Sequence, residues 1–307
     1  ITIWAIFSFL HIREFHFQQP ASFLIKIARD MLPLYQSEFT FEAQIRAQEL
    51  NEHGAFCIDI GQYERAITAL IEALQLTEST NLDPHHSCCC AVCHLDTCMV
   101  YSQAYGSVLR NERTMENTKS PSECGQPSSS SSCPWTGAYV YRQPIRIPPD
   151  VVHGKHTMGM TLPLLLTFNL ALAYHMNAIS VSASGHKINR SHLQKILQLY
   201  ELAHRWQSEQ EKYHISLTGR SSNLGFSSLK FTMIIANNLG HIHYMVNNVT
   251  KYHLCMQHLL STLMLLVDGQ QLNEIISNQP FQRIIDIDGF LRNTSCLYLR
   301  DQAAAAA

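Results

Sequence analysis

Charge is scarce in this chain. Asp, Glu, Lys and Arg account for 15% of its 307 residues, and 22 basic against 24 acidic residues leave a formal net charge of -2. With no surplus of either sign, no overall field draws the molecule to a phosphate backbone or an anionic lipid surface, so neither nucleic acid nor membrane is an expected partner. Long apolar runs are missing too. The run from Ile1 to Leu10 is about half of what a bilayer crossing needs and is ended by His11, Arg13 and Glu14; no other uninterrupted stretch reaches about eighteen residues. The charged leader and small-residue cleavage site of a signal peptide are not visible. The chain opens on Ile1 in place of a methionine, as expected of a fragment of a longer reading frame or of a processed product. Absent as well are G-x-S-x-G, G-x-x-x-x-G-K-[ST] and H-E-x-x-H, the usual carriers of nucleophilic, phosphate and zinc-hydrolase chemistry. No catalytic activity and no cofactor are therefore expected.

What is present is apolar mass and thiols. Hydrophobic residues make up 46% of the sequence, enough for an ordered core. Of ten cysteines, Cys88, Cys89, Cys90, Cys93, Cys98 and Cys124 crowd into one segment with Cys133 close behind, whereas Cys57, Cys255 and Cys296 stand apart. A disulfide framework would be spread through the fold, so reduced thiols in a cytoplasmic or nuclear protein fit better. The sequons at Asn189, Asn248 and Asn293 carry weight only in a secreted chain.

Apolar and small residues recur at spacings of three and four in two blocks across residues 41–76, separated by Gly61. This pattern predicts a helix, a tight turn and a second helix. Ile45, Leu50, Gly54, Cys57 and Ile58 mark the first, and Tyr63, Ala66, Ile67, Leu70, Ala73 and Leu74 line one stripe of the second. Ala66 and Ala73 permit close approach between helices.

Gly54, Gly61, Tyr63, Ala66 and Ala73 together resemble the tetratricopeptide (TPR) repeat, with Leu70 at its large apolar position. Cys57, His53 and Glu78 depart from the consensus tyrosine, leucine and proline. Two weaker copies share the register. One contains Phe168 to Tyr174 and then Leu193 to Trp206, with a polar loop of about thirteen extra residues around Ser182 to Arg190 between them. The other runs through Asn237 to Gly240 and then Lys251 to Leu266, where Tyr252, Met256 and Leu259 replace small residues and imply looser packing. The resemblance implies an all-α fold, a short array of antiparallel helix pairs. The expected divisions are 1–40, an apolar helical segment; 41–84, the first hairpin; 85–135, a Cys/Ser-rich insertion, mostly disordered; 136–160, an extended connector; 161–268, the two degenerate hairpins; and 269–307, a terminal element and alanine tail. Within the connector, residues 138–147 alternate apolar and polar, and Pro144 limits them to an edge or a turn.

Two functional expectations follow. The resemblance implies a protein-interaction scaffold whose groove is lined by Asn51, Ile58, Phe168, Leu172, His175, Met176, Asn237, His241, Tyr244 and Met245. The same residues would equally serve as packing inside a compact domain. Asn51 and Ala55 stand where chaperone-tail binders of the family carry lysine and asparagine, so that carboxylate clamp is absent, and the apolar lining favours a protein or peptide with an apolar segment. The alternative is a metal-binding or redox-sensing element at Cys90, Cys93, His94 and Cys98, whose thiolates and imidazole suit zinc but lack a second C-x-x-C pair. Among the 17 histidines, His241 and His243 sit about 200° apart on a helix and cannot share an ion.

Overall fold

A helix ends most readily where one residue adopts a left-handed conformation and the last carbonyls are recaptured. The computed structural model of the chain uses this device in each hairpin. It describes residues 37–78, 95–99, 101–102, 104–105, 139–218, 226–268 and 287–295. In the first hairpin α1 (Ser37–Asp59) is stopped by Gly61 at φ 80° before α2 (Tyr63–Glu78) begins. The Gly61 and Gln62 amides donate to Ile58 and Cys57 carbonyls at 3.1 and 2.8 Å. After the five-residue α3 (Pro149–His153), α4 (Thr161–Ala183) ends the same way at Gly185, φ 77°, and is followed by α5 (Arg190–Thr218). Between α6 (Phe226–Met245) and α7 (Val249–Asp268) the left-handed residue is Asn247, φ 58°, whose short polar side chain tolerates that region. A further helix spans 287–295.

The described residues are all helical in their regular structure, with no strand among them. The helices pack in chain order: α2 against α4, α4 against α5, α5 against α6, and α6 against α7. Small residues set the approach. A Cβ placed on Gly54 of α1 would lie 2.7 Å from Leu70 Cγ of α2, and one on Gly240 of α6 would strike the Met256 methyl of α7. Tyr252, Met256 and Leu259 are all buried. The large residues of the third pair thus do not loosen it, because Met256 fills the notch over Gly240. In the second pair α4 ends at Ala183 and α5 begins at Arg190, so an exposed connection lies at 184–189, where the polar loop around Ser182 to Arg190 is expected, and the other extra residues lengthen α4.

Helix α4 lies at the centre. It is long and apolar enough to cross a bilayer, yet 72% of its most apolar stretch is buried inside the molecule. From Thr161 to Met176 every residue is buried, including Asn169 and His175. The expectations for residues 1–36, for the Cys/Ser-rich stretch apart from 95–99, 101–102 and 104–105, and for the alanine tail fall outside the described residues.

The left-handed stops give a direct test. Nothing lies within 4 Å of a Cβ on Gly61, so any loss on substitution is backbone strain. Gly61→Val should cost about 1–2 kcal/mol in urea unfolding, whereas Gly61→Asn should cost only a few tenths. Equal losses would contradict this account of the turn.

Candidate functional site: an asparagine-lined groove and its internal strap

Residues 139–148 form neither helix nor strand, yet they run through the interior. Tyr141, Ile145 and Ile147 are at most 1% exposed, and Val140 and Arg146 are buried with them. A buried backbone must have its N–H and C=O groups paired, and here no neighbouring strand supplies the partners. Asparagine side chains do so, since a carboxamide offers one acceptor and two donors in the geometry of a peptide group.

The pairing recurs along the strap. Asn293 accepts the Tyr139 N–H at 3.0 Å and donates back to the Tyr139 carbonyl at 2.7 Å. Asn238 of α6 does the same for Tyr141, both bonds at 3.1 Å. Asn169 of α4 accepts from Ile145 at 2.8 Å and donates to its carbonyl at 2.7 Å. Neighbouring asparagines brace these three. Asn237 donates to the Tyr139 carbonyl and accepts from Asn293, while Asn51 of α1 donates to the Ile145 carbonyl and accepts from Asn169. Beyond Ile145 the partners change: Ser102 Oγ accepts the Arg146 N–H and Glu52 Oε1 the Ile147 N–H, each at 2.6 Å. The strap thus crosses the helix 287–295, α6, α4 and α1 in turn, against the order of the chain.

Its side chains enter matching places. The Tyr141 ring lies 6.4 Å from that of Phe168, which also meets Tyr200 and Phe231. Tyr139 packs edge-on to Phe290 at 5.4 Å, and Gly289 leaves room for that ring, which a Cβ there would strike. The Arg146 guanidinium is only 6% exposed and divides its nitrogens between Glu52 at 3.2 Å and Asp59 at 2.6 Å, with its carbon 4.2 Å from the Tyr105 ring centroid. Burial pushes the Glu52 carboxyl above its ordinary value, against the Ile147 N–H and the Arg146 charge, which both favour the ionised form.

A polar chain leads away from the strap. Asn238 donates to the Tyr200 hydroxyl at 3.1 Å, and the same hydroxyl is hydrogen-bonded to His175 Nδ1 at 3.2 Å. His175 Nε2 is in turn paired with His241 Nδ1 at 2.9 Å. Burial holds His175 well below the ordinary histidine range, and burial together with the Arg142 charge lowers His241 to about 4.

Of the residues expected to line a groove, Asn51 and Asn237 touch the strap directly, Phe168 lies against Tyr141, and His175 and His241 form the chain just described. Ile58, Leu172 and Met176 are core residues, and Tyr244 and Met245 are partly exposed at the end of α6. Sequence reasoning missed Asn169, Asn238, Asn293, Glu52 and Arg146. A signal was available in the first two: each is an amide inside an otherwise apolar helical stretch, a placement that demands a buried partner. Cys90, Cys93 and His94 lie outside the described residues. Cys98 is buried, and desolvation together with the Glu52 charge raises its thiol pKa, which disfavours the reactive thiolate. Among the described residues no group of three or more ligand-type side chains is placed to hold a metal ion. Compared with protein-family models, curated proteins and solved structures, the chain matches none.

Two outcomes are expected. Asn169→Leu strands the Ile145 N–H and carbonyl and should cost about 2–4 kcal/mol in urea unfolding, while Arg142→Ala, at an exposed strap position, should change stability by less than about 0.5 kcal/mol. The histidines set a pH dependence. His241 and His243 fall from 6.5 to about 4 on folding, and burial lowers His175 well below 6.5 as well. At these histidines the unfolded chain therefore binds more protons below about 6.5, so their contribution to stability is complete above that pH and declines toward about 4. Urea midpoints should fall across this window, less steeply in His241→Gln; midpoints that rise on acidification would contradict the assignment.

Proposed function

We propose that the chain is a TPR-like protein-interaction scaffold of the cytoplasm or nucleus, without catalytic activity, that holds an extended apolar segment of a protein partner. The observation that carries this reading is the backbone grip at Tyr139, Tyr141 and Ile145: a wall of stacked helices presents side-chain amides to an extended polypeptide. Helix stacking in chain order, the close approaches at Gly54 and Gly240, and the alanines Ala66 and Ala73 of α2, both fully buried, support the repeat architecture. Backbone recognition supplies affinity while pockets for alternate side chains supply selectivity, the logic by which extended peptides are bound elsewhere. The absence of a lysine and asparagine at Asn51 and Ala55 argues against a chaperone tail, and the near-neutral charge against nucleic acid or a membrane surface.

The test is a photo-crosslinking residue in place of Tyr244, at the partly exposed end of α6, in cells expressing the chain, with exposed Glu201 as the control position. Protein adducts are expected at 244, absent at 201, and reduced by His241→Asp. Identical background adducts at both positions would count against an interaction role for this surface.

A further inference from the structure

Connecting segments usually run over the surface, because a buried loop carries polar groups that nothing satisfies. The strap is satisfied, but by side chains that read backbone and spacing: single residues are gripped at 139, 141 and 145, and the intervening Arg142 is exposed. Without an occupant, Asn169, Asn237 and Asn238 would leave amides unpaired in an apolar wall, which is costly. The groove therefore requires an extended chain in it, and its chemistry states which kind. Glu52 and Asp59 receive a guanidinium that reaches them through separate nitrogens, Nη1 and Nη2. A lysine offers only one nitrogen, so the acid pair selects arginine. That arginine must directly follow the residue held by Asn169 and directly precede the one whose N–H meets Glu52.

We propose that the groove is a docking site for an extended, arginine-bearing apolar segment of a partner protein, and that the strap, residues 139–148, is a built-in occupant which such a segment displaces. The proposal rests on the scaffold reading above and adds the ligand's chemistry and its competitor. The strap is joined at its far end to α3, where Val151 is buried and Gln48 donates to the His156 carbonyl at 2.6 Å. Ser102 and Tyr105, which lie between α2 and the strap in the chain, contact Arg146. Displacement therefore pivots near Pro148, where the strap joins the anchored α3. An occupant that belongs to the same chain competes intramolecularly, so a free segment binds weakly to the intact chain and tightly once the strap is unseated.

The experiment uses the full chain and a labelled synthetic peptide of the strap sequence, residues 139–148, beside the same peptide with glutamate in place of its arginine. Ile145→Glu and Arg146→Glu in the chain unseat its own strap. The peptide should bind this variant saturably and at least about tenfold tighter than wild type. The glutamate peptide should not bind, and adding Asn169→Leu should abolish binding. Because the variant can fail to fold, helicity by circular dichroism is checked first, and hydrogen exchange on the wild-type chain gives a second route. There the Tyr141 and Ile145 amides should exchange faster than those of α4, and faster again with excess peptide. The proposal is overturned by a folded variant that binds no peptide, by strap amides protected as fully as α4 and indifferent to peptide, or by a variant that pairs into dimers without taking up peptide. Groove-dependent adducts at 244 alongside any of these results would leave the scaffold reading standing and remove only the displaceable strap.

Discussion

An extended polypeptide that crosses an apolar interior with no neighbouring strand must find a partner for each N–H and C=O it buries. Most features of this molecule follow from how that demand is met. The asparagines sit on α1, α4, α6 and the helix 287–295, so one segment of ten residues ties together elements from both ends of the described chain. Asn238 extends the constraint outward, since its second N–H orients Tyr200 and through it the pair His175 and His241. Those histidines are neutral for the same reason that the strap is dry: the surrounding helices exclude water, and desolvation disfavours the imidazolium.

Electrostatics acts on a smaller scale and with more selectivity. A chain with so few charges places Arg146, Glu52 and Asp59 together beneath its surface. A buried ion pair adds little net stability compared with an apolar replacement, because desolvation offsets much of the attraction, but removing one partner leaves a costly uncompensated charge. The arrangement therefore fixes register. A slip of the strap by one residue would turn Arg146 away from its carboxylates and drive Ile145 and Ile147 out of the core.

Much of the helical framework is legible in the sequence, because helices and their stops are local. Gly61 between two blocks of period three to four announces the first hairpin, and the register continues through Phe168 to Tyr174 and Asn237 to Gly240. The strap is legible as an extended segment, but its burial is not. Pro144 suggests an edge because it cannot donate a hydrogen bond, yet in a groove that grips only some residues it occupies a position where no donor is needed. The partners that permit burial are remote: Asn238 lies 97 residues from Tyr141, and Asn293 lies 154 residues from Tyr139. No window of local pattern joins such pairs. Asn293 illustrates the point, since it reads locally as a glycosylation sequon and in the fold is a buried bracket for Tyr139.

The most direct test of the account is a trans-hydrogen-bond coupling experiment by nuclear magnetic resonance on the deuterated, asparagine-labelled chain. The amides of Tyr139, Tyr141 and Ile145 should couple to the side-chain carbonyl carbons of Asn293, Asn238 and Asn169, the three acceptors that lie within 3.1 Å. Couplings from these amides to backbone carbonyls, or amides that exchange with water too quickly to be detected, would contradict the claim that asparagine side chains hold the strap inside the fold.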